Sequence, residues 1–155
     1  MKNDSNRLFA NNLIKIYQMR KYNSINEMSK DFCIPTGTLK CWITSNRSPK
    51  LTNLDVIANK LGCYTFNLIK QDGDFTDVNI YNNDIHRSFV RQLRIIFINY
   101  QAKTYLNKLY LLNNVVSYDT LVSYLRQNNY RLPTLKTLDR IADELDINAY
   151  ELIKE

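Results

Sequence analysis

The sequence repeats itself, and this internal repeat limits the possible folds more than any other feature. Residues 49–70 and residues 133–154 match without a gap at ten of 22 positions, whereas shared composition would give roughly one or two matches. The identical residues lie mostly at helical spacing. Upstream of each matching segment, Phe9–Leu13 is similar to Phe89–Leu93. We therefore predict two related helical units in one chain rather than a single medium-sized core.

A polar, acidic segment separates the two copies. Its sequence, QDGDFTDVNIYNN, contains a Gly-Asp turn, which is typical of a linker. We predict a first domain at residues 1–70, a linker at 71–83 and a second domain at 84–155. The net charge of +6 is unevenly distributed, because residues 1–72 carry 11 basic and 5 acidic side chains, whereas residues 87–155 carry 10 and 7. We expect an anionic partner such as DNA to bind the more basic first copy more tightly.

The composition favours an all-α fold. Of 155 residues only three are Gly and three are Pro, so there is little material for hairpins or Gly-rich phosphate loops. No apolar run reaches the roughly 20 residues that a membrane span needs, and the first residues lack the apolar stretch of a secretory signal. The spacing of Cys33, Cys41 and Cys63 fits neither a zinc site nor a disulfide framework. We therefore expect reduced thiols in a cytoplasmic protein.

Hydrophobic periodicity and capping residues predict about five short helices in each copy. In the first copy, Ser24 and Glu27 form a capping box at the start of the second helix. Thr52 is predicted to cap the fourth helix, which should end at Gly62. In the second copy, Ser117 is predicted to cap the third helix. The predicted buried positions of the first and third helices are Phe9, Leu13, Ile16, Tyr17, Leu39, Trp42 and Ile43 in the first copy, and Phe89, Leu93, Ile96, Phe97, Leu121, Tyr124 and Leu125 in the second.

The segment from Met28 to Trp42 predicts two short helices joined by a tight turn. The first should end near Asp31, and the second should pack through Leu39 and Trp42 with its polar face projecting outward. A projecting helix of this size fits the major groove of B-DNA. The residues that carry the pattern are Met28, Ser29, Ile34, Thr38, Leu39, Trp42, Ser45, Asn46, Arg47, Ser48, Pro49, Leu54, Ile57, Ala58 and Leu61 in the first copy, and Leu109, Val116, Ser117, Leu121, Tyr124, Arg131, Pro133, Leu138, Ile141, Ala142 and Leu145 in the more diverged second copy.

Both sets of residues resemble the Cro/C1-type (lambda-repressor-like) helix-turn-helix family. The resemblance covers nearly the whole chain except the linker and the tail, and in the first copy it rests on Trp42 and on the spacing of Arg47 and Pro49. It implies an all-α protein of two tandem helix-turn-helix domains, each with about five short helices. It also implies that the third helix of the first domain reads DNA, and it leaves open whether the third helix of the second domain does so.

The resemblance assigns roles to the third helix of the first domain and to the loop that follows it. Threonine hydroxyls can donate to base edges or accept from them, and Lys40 can reach a guanine or a phosphate. Gly37 would let the backbone approach DNA closely, although glycine within a helix costs about 1 kcal/mol relative to alanine. The implied base-contacting residues are Thr36, Gly37, Thr38, Lys40, Cys41 and Thr44. The implied phosphate-contacting residues are Arg47, Lys50 and Thr52, the last at the start of the fourth helix.

The corresponding surface of the second domain is less suited to DNA. Asp119 would be repelled by phosphates unless it accepts a hydrogen bond from a cytosine amino group, and Val122 offers only a contact to a thymine methyl. The sequence leaves open whether this surface touches DNA or serves as a packing or partner surface. Its candidate residues are Tyr118, Asp119, Val122, Ser123, Arg126, Gln127 and Arg131.

No residue pattern points to an enzyme, a metal site or a cofactor. His86 is the sole histidine, so it has no partners with which to form a zinc site or a Ser/His/Asp triad. We predict that His86 is a surface residue in the first turn of a helix. The segment from Asp72 to Asp77 looks like a calcium loop only superficially, because its glycine is misplaced and Asn83 stands where a bidentate glutamate is needed. We expect neither catalysis nor a cofactor.

The expected function is sequence-specific binding of double-stranded DNA by a small transcriptional repressor of a mobile element or bacterial operon. Two heads in one chain could read two unequal half-sites as an internal pseudo-dimer, or the chain could form a homodimer. Two alternatives stay open. One is a protein-binding helix-turn-helix module, an antirepressor or inhibitor, that uses Tyr118, Asp119 and Val122. The other is a DNA-binding accessory protein in plasmid transfer or recombination.

Overall fold

A computed structural model describes residues 2–75 and 84–155. Within these two ranges the chain forms eight α-helices, two 3-10 helices and no strand, which confirms the prediction of an all-α fold for the described residues. None of their helices is long and apolar enough to cross a membrane. The elements are α1 (Ser5–Met19), α2 (Ile25–Phe32), α3 (Thr36–Ile43), α4 (Leu51–Leu61), the 3-10 helix η1 (Thr65–Ile69), α5 (Ile85–Asn99), α6 (Tyr105–Leu111), α7 (Tyr118–Leu125), α8 (Leu135–Glu144) and the 3-10 helix η2 (Ala149–Ile153).

The long helices and α2 begin at side chains that cap them. Asp4 and Asp84 cap α1 and α5, and each carboxylate accepts a hydrogen bond from the backbone N–H three residues later. The Ser24 hydroxyl accepts from the N–H of Glu27 in the same way. The Glu27 carboxylate reaches back to the N–H of Asn23, at 2.7 Å. The predicted capping box is therefore present, with the return bond shifted by one residue.

The sequence prediction for α4 is right at its end and wrong at its start. Gly62 follows the helix with a φ of 70°, in the left-handed region that glycine adopts at no steric cost. The helix begins at Leu51 with Lys50 as its N-cap, so Thr52 is not the cap. The reason is a distant contact. The Leu51 N–H donates to the carbonyl of Pro133 at 3.1 Å, and this bond fixes the start of the helix ahead of the threonine.

An aromatic pair at equivalent positions anchors the third helix of each half. Along the sequence, α5 repeats α1 with an offset of 80 residues and α7 repeats α3 with an offset of 82. Phe9 and Trp42 have ring centroids 5.9 Å apart, and their counterparts Phe89 and Tyr124 are 5.6 Å apart. All four side chains are buried, as the helical periodicity predicts. The packing of the third helix differs between the halves, because α3 lies closely on α1 whereas α7 packs less closely on α5.

A side-chain amide at the same position of each long helix holds the closing 3-10 helix. Asn12 is buried and donates to the carbonyl of Lys70 at 3.0 Å and to two further carbonyls of η1. Its counterpart Gln92 donates to the carbonyl of Lys154 at 2.8 Å. Carbonyls at the end of a helix lack partners within it. The two amides therefore satisfy groups that would otherwise be left without hydrogen bonds.

The two halves meet in a reciprocal junction. Lys50 and Thr134, which are counterparts in the repeat, form an isolated antiparallel bridge. Around this bridge η1 packs on η2, α1 on α8 and α4 on α5. Exchange of the halves converts each flanking bond into the other, as in a two-fold symmetric interface. The flanking bonds run from the Leu51 N–H to the Pro133 carbonyl at 3.1 Å and from the Leu135 N–H to the Pro49 carbonyl at 3.0 Å.

The N-terminal segment and the apolar core both continue across the junction. The Asn3 side chain donates to the carboxylate of Asp143 at 2.8 Å and to the Ile147 carbonyl at 2.9 Å, and it accepts from the N–H of Ala149. Buried apolar side chains of both halves form one continuous cluster. The division into domains at the predicted linker stays a prediction, and residues 76–83 of that linker lie outside the described ranges.

Each half places an aspartate at the equivalent position of the junction. Asp139 of α8 accepts from the N–H of Ser5 at 2.9 Å, and burial raises the pKa of this carboxyl although the bonds from Ser5 oppose the rise. Its counterpart Asp55 accepts from the Thr65 hydroxyl at 3.0 Å. Burial raises the pKa of Asp55, the Thr65 bond opposes the rise, and the nearby Asp84 adds to it. The junction therefore contains two carboxyls that resist ionisation.

Candidate nucleic-acid interface

α2 and α3 are joined by a turn of three residues, 33–35. Cys33 follows α2 with a φ of 55°, a left-handed conformation that is uncommon for residues other than glycine. The Ile34 N–H donates to the carbonyl of Ser29 at 3.0 Å, and the Ser29 hydroxyl donates to the Ile34 carbonyl at 2.5 Å. Pro35 then precedes α3 with a φ of −53°, as its ring requires. These contacts fix the direction in which α3 leaves α2.

α3 is anchored through one apolar side and presents its opposite, polar side at the surface. Leu39 and Trp42 are 0% and 3% exposed, and the Trp42 ring packs against α1. On the other side, a Cβ added at Gly37 would meet no atom within 4 Å. A helix with open space on its polar side can approach a groove of DNA closely. The predicted base-contacting residues all reach the surface, where Gly37, Lys40 and Thr44 are exposed and Thr36, Thr38 and Cys41 are half-buried.

Two threonine hydroxyls of this face already donate hydrogen bonds within the protein. Thr36 donates to the side-chain oxygen of Asn26 at 3.0 Å, and Thr44 donates to the Lys40 carbonyl at 2.9 Å. A hydroxyl that already donates keeps its lone pairs. Thr36 and Thr44 are therefore suited to accept hydrogen bonds, for example from the amino groups of adenine or cytosine.

The predicted phosphate-contacting residues Arg47, Lys50 and Thr52 are all exposed. Arg47 lies in the loop between α3 and α4, and Lys50 lies at the bridge between the halves with its side chain in solvent. The start of α4 offers less to a phosphate than the sequence suggests. The N–H of Leu51 is already bonded to Pro133, and Thr52 lies in the first turn of the helix rather than at its cap.

The second half repeats this arrangement with a longer turn. α6 and α7 are separated by six residues, 112–117, and among them Asn113 and Asn114 have φ angles of 47° and 53°. Asparagine adopts this left-handed conformation more readily than most residues. Ser117 caps α7 as predicted, with its hydroxyl accepting from the Thr120 N–H at 3.2 Å. α7 also packs less closely on α5 than α3 packs on α1.

The structure contradicts part of the predicted surface of the second half. Ser123 is only 9% exposed. The chain after α7 folds back at this point, and the Arg131 N–H donates to the Ser123 carbonyl at 3.4 Å. α7 ends at Leu125, so Arg126 and Gln127 lie beyond the helix rather than on its face. Tyr118 and Asp119 are exposed and Val122 is half-buried. A cavity of about 290 Å³ lies beside α7. It is lined by Asp119, Val122, Ser123, Arg126, Asn129 and Arg131.

α7 lacks the charge that makes α3 attractive to DNA. In register, Asp119 takes the place of Gly37 and Val122 takes the place of Lys40. The exposed face of α7 thus gains a carboxylate and loses a cation. Arg131 provides a positive charge from the loop that returns past the helix. The two faces therefore occupy equivalent places in the repeat and differ in chemistry.

The environment of His86 is not apparent from the sequence. The residue lies in the first turn of α5, as predicted, but it is half-buried rather than a plain surface residue. Its ring stacks on that of Tyr130 with centroids 3.5 Å apart, and its Nε2 atom lies 3.0 Å from the Tyr124 carbonyl. The ring thereby ties the loop after α7 to α5. No local signal in the sequence links positions so far apart.

No protein-family model matches the chain, and comparisons with curated proteins and with solved structures return no match. The assignment to the Cro/C1-type family stays a prediction that rests on the residues of the two repeats. In residues 2–75 and 84–155, no group of three or more His, Cys, Asp or Glu side chains is placed to hold a metal ion.

Proposed function

We propose that the chain is a sequence-specific double-stranded DNA-binding protein of two tandem helix-turn-helix domains that acts as a small transcriptional repressor of a mobile element or bacterial operon. α3 enters the major groove with Lys40 as its charged reader, and Arg47 and Lys50 bind the flanking phosphates. The observation that carries the proposal is the two-sided character of α3. Leu39 and Trp42 fix its apolar side, and its polar side faces solvent.

The reciprocal junction supports a two-headed arrangement. An axis through the bridge of Lys50 and Thr134 would relate α3 to α7, as in symmetric dimers whose reading helices lie about 34 Å apart. Because both heads belong to one chain, their pairing does not depend on protein concentration. The heads are unequal, since Asp119 and Val122 replace a glycine and a lysine on α7. If α7 also reads DNA, the proposal predicts two unequal half-sites.

Substitution of the two cations around α3 tests DNA binding by this helix. Fluorescence anisotropy of labelled random-sequence duplexes measures affinity at several salt concentrations. We expect Lys40→Ala combined with Arg47→Ala to weaken binding and to reduce the slope of log affinity against log salt by about 0.9 for each phosphate that the variant no longer neutralises. Lys60→Ala removes a cation from the last turn of α4 and serves as the matched control. A double variant that binds like the wild type at low salt contradicts the assignment of α3.

A protein-binding role is the second candidate, and exposed apolar residues of the second half favour it. Leu106 is 75% exposed, Tyr110 is 85% exposed and Tyr118 is 51% exposed, and Tyr118 lies against Tyr105 with ring centroids 5.4 Å apart. Grouped apolar side chains at a surface mark contacts with other proteins. If the chain is an antirepressor or inhibitor, Val122→Arg should abolish its activity in cells without changing its affinity for duplex DNA.

A further inference from the structure

A groove of about 440 Å³ runs along α5 in the second half of the chain. One wall is the outer side of α5, and the other is formed by the end of α7 and the residues after it, including Leu125 and Gln127. At this groove α7 packs less closely on α5 than α3 packs on α1. It is separate from the polar face of α3.

Four arginines give the groove its charge. Arg87, Arg91 and Arg94 recur at helical spacing along α5, and Arg126 faces them from beyond α7. All four are exposed. Arg91 donates to a C-terminal backbone carbonyl at 3.3 Å, whereas the other three side chains have no hydrogen bond or ion pair with residues that the structure describes. The lining contains one carboxylate, Asp84, which already caps α5. Like charges on neighbouring turns of a helix repel one another, and an anionic partner would relieve this repulsion.

Apolar side chains lie beside the arginines. Ile95 and Ile98 are 45% and 74% exposed, and they line the groove together with Val90. Their counterparts on α1 are Lys15 and Gln18, so this combination belongs to the second half and not to the repeat as such. A mixture of exposed isoleucines and arginines is typical of a surface that binds another protein.

We propose that this groove binds an acidic amphipathic helix of a partner protein. Carboxylates on the helix would pair with Arg87, Arg94 and Arg126, and its apolar stripe would cover Ile95 and Ile98. The charge complementarity alone would also suit a DNA backbone. A bound DNA backbone, however, would leave the isoleucines against phosphates and water. The isoleucines therefore favour a protein partner. This role goes beyond DNA binding by α3 and does not depend on it.

A model peptide tests the proposal directly. The probe is a fluorescein-labelled helical peptide of about 18 residues, or five turns, made of glutamate and leucine with the leucines on one face. Anisotropy is measured with the full chain. We expect binding that falls at least about tenfold, or about 1.4 kcal/mol, in both Ile98→Ser and Arg94→Glu. The matched controls Ile14→Ser and Lys15→Glu, at exposed positions of α1, should bind the peptide like the wild type.

Three outcomes overturn the proposal. The peptide could fail to bind, it could bind equally well to all four variants, or it could respond to Arg94→Glu but not to Ile98→Ser. The last result, together with displacement by random duplex DNA, would make the groove a phosphate site. Circular dichroism and thermal melts check that the variants remain folded. The variant with Lys40→Ala and Arg47→Ala should retain full peptide binding, so failure of the DNA proposal and failure of this one are distinguishable.

Discussion

Lys50 and Thr134, 84 residues apart and equivalent in the repeat, form the antiparallel bridge at which the two halves of the chain meet. The hydrogen bonds on either side of the bridge are nearly equal, at 3.1 and 3.0 Å. In a symmetric dimer such a contact forms between identical subunits. Here it forms within one molecule, and it fixes the base of the loop that carries Arg47. The junction thus links the relation between the halves to the surface that we propose for DNA.

The first prediction concerns a cap that one half provides to the other. The Ser48 hydroxyl accepts from the N–H of Lys136, near the start of α8, at 2.9 Å. We expect Ser48→Ala to lower the free energy of unfolding by about 1 kcal/mol, the usual cost of losing a helix cap. Urea denaturation measures the change. Thr52→Ala is the control, because the structure places Thr52 beyond the cap position. An equal loss in both variants would contradict this account of the junction.

The second prediction concerns pH. Burial raises the pKa of Asp139 above its ordinary value of 3.8. At pH values between the ordinary and the raised pKa, Asp139 is therefore protonated more in the folded chain than in the unfolded chain. Stability contributed by this group is therefore lost as pH rises through that window. Asp139→Asn keeps an oxygen to accept from Ser5 and removes the titration.

The urea midpoint of Asp139→Asn should consequently increase relative to that of the wild type as pH rises from the ordinary pKa of 3.8 through the raised value. The exposed Asp119→Asn controls for the change in net charge and should show no comparable gain. If instead the wild type becomes more stable relative to Asp139→Asn as pH rises through this range, ionisation of the buried carboxylate is favourable in the folded chain.

The third prediction separates stability from DNA binding at one position. Gly37 lies on the open side of α3, with no atom within 4 Å of an added Cβ. Gly37→Ala should therefore stabilise the fold by about 0.5–1 kcal/mol through helix propensity. The same methyl would stand between the helix and a base pair, so duplex affinity should fall. Thermal melts and anisotropy measure the two effects. If affinity rises together with stability, this turn of α3 does not approach DNA closely.

Local signals in the sequence were sufficient to predict most of the helices. Ser24 and Ser117 cap α2 and α7 and Gly62 ends α4, because each acts on backbone groups within a few residues. The buried side of α3 was equally accessible, since Leu39 and Trp42 follow the period of the helix.

Contacts between distant residues explain what sequence analysis missed. Thr52 was expected as a cap, but Pro133 fixes the start of α4 from the other half. The helical pattern predicts Ser123 at the surface, but it is only 9% exposed and its carbonyl accepts from the distant Arg131 N–H. The arginine groove needs α5 and Arg126 side by side, and no spacing along the sequence reveals that. Each case depends on tertiary packing that a local pattern does not contain.

Selection of bound sequences from a random pool of duplexes tests the central claim most directly. We predict enrichment of a defined half-site that disappears when Lys40→Ala and Arg47→Ala are combined. A second, unequal half-site about 10 base pairs away would show that α7 also reads DNA, and a single half-site would leave that helix a structural role. A pool that shows no enrichment with the wild-type chain would contradict sequence-specific DNA binding.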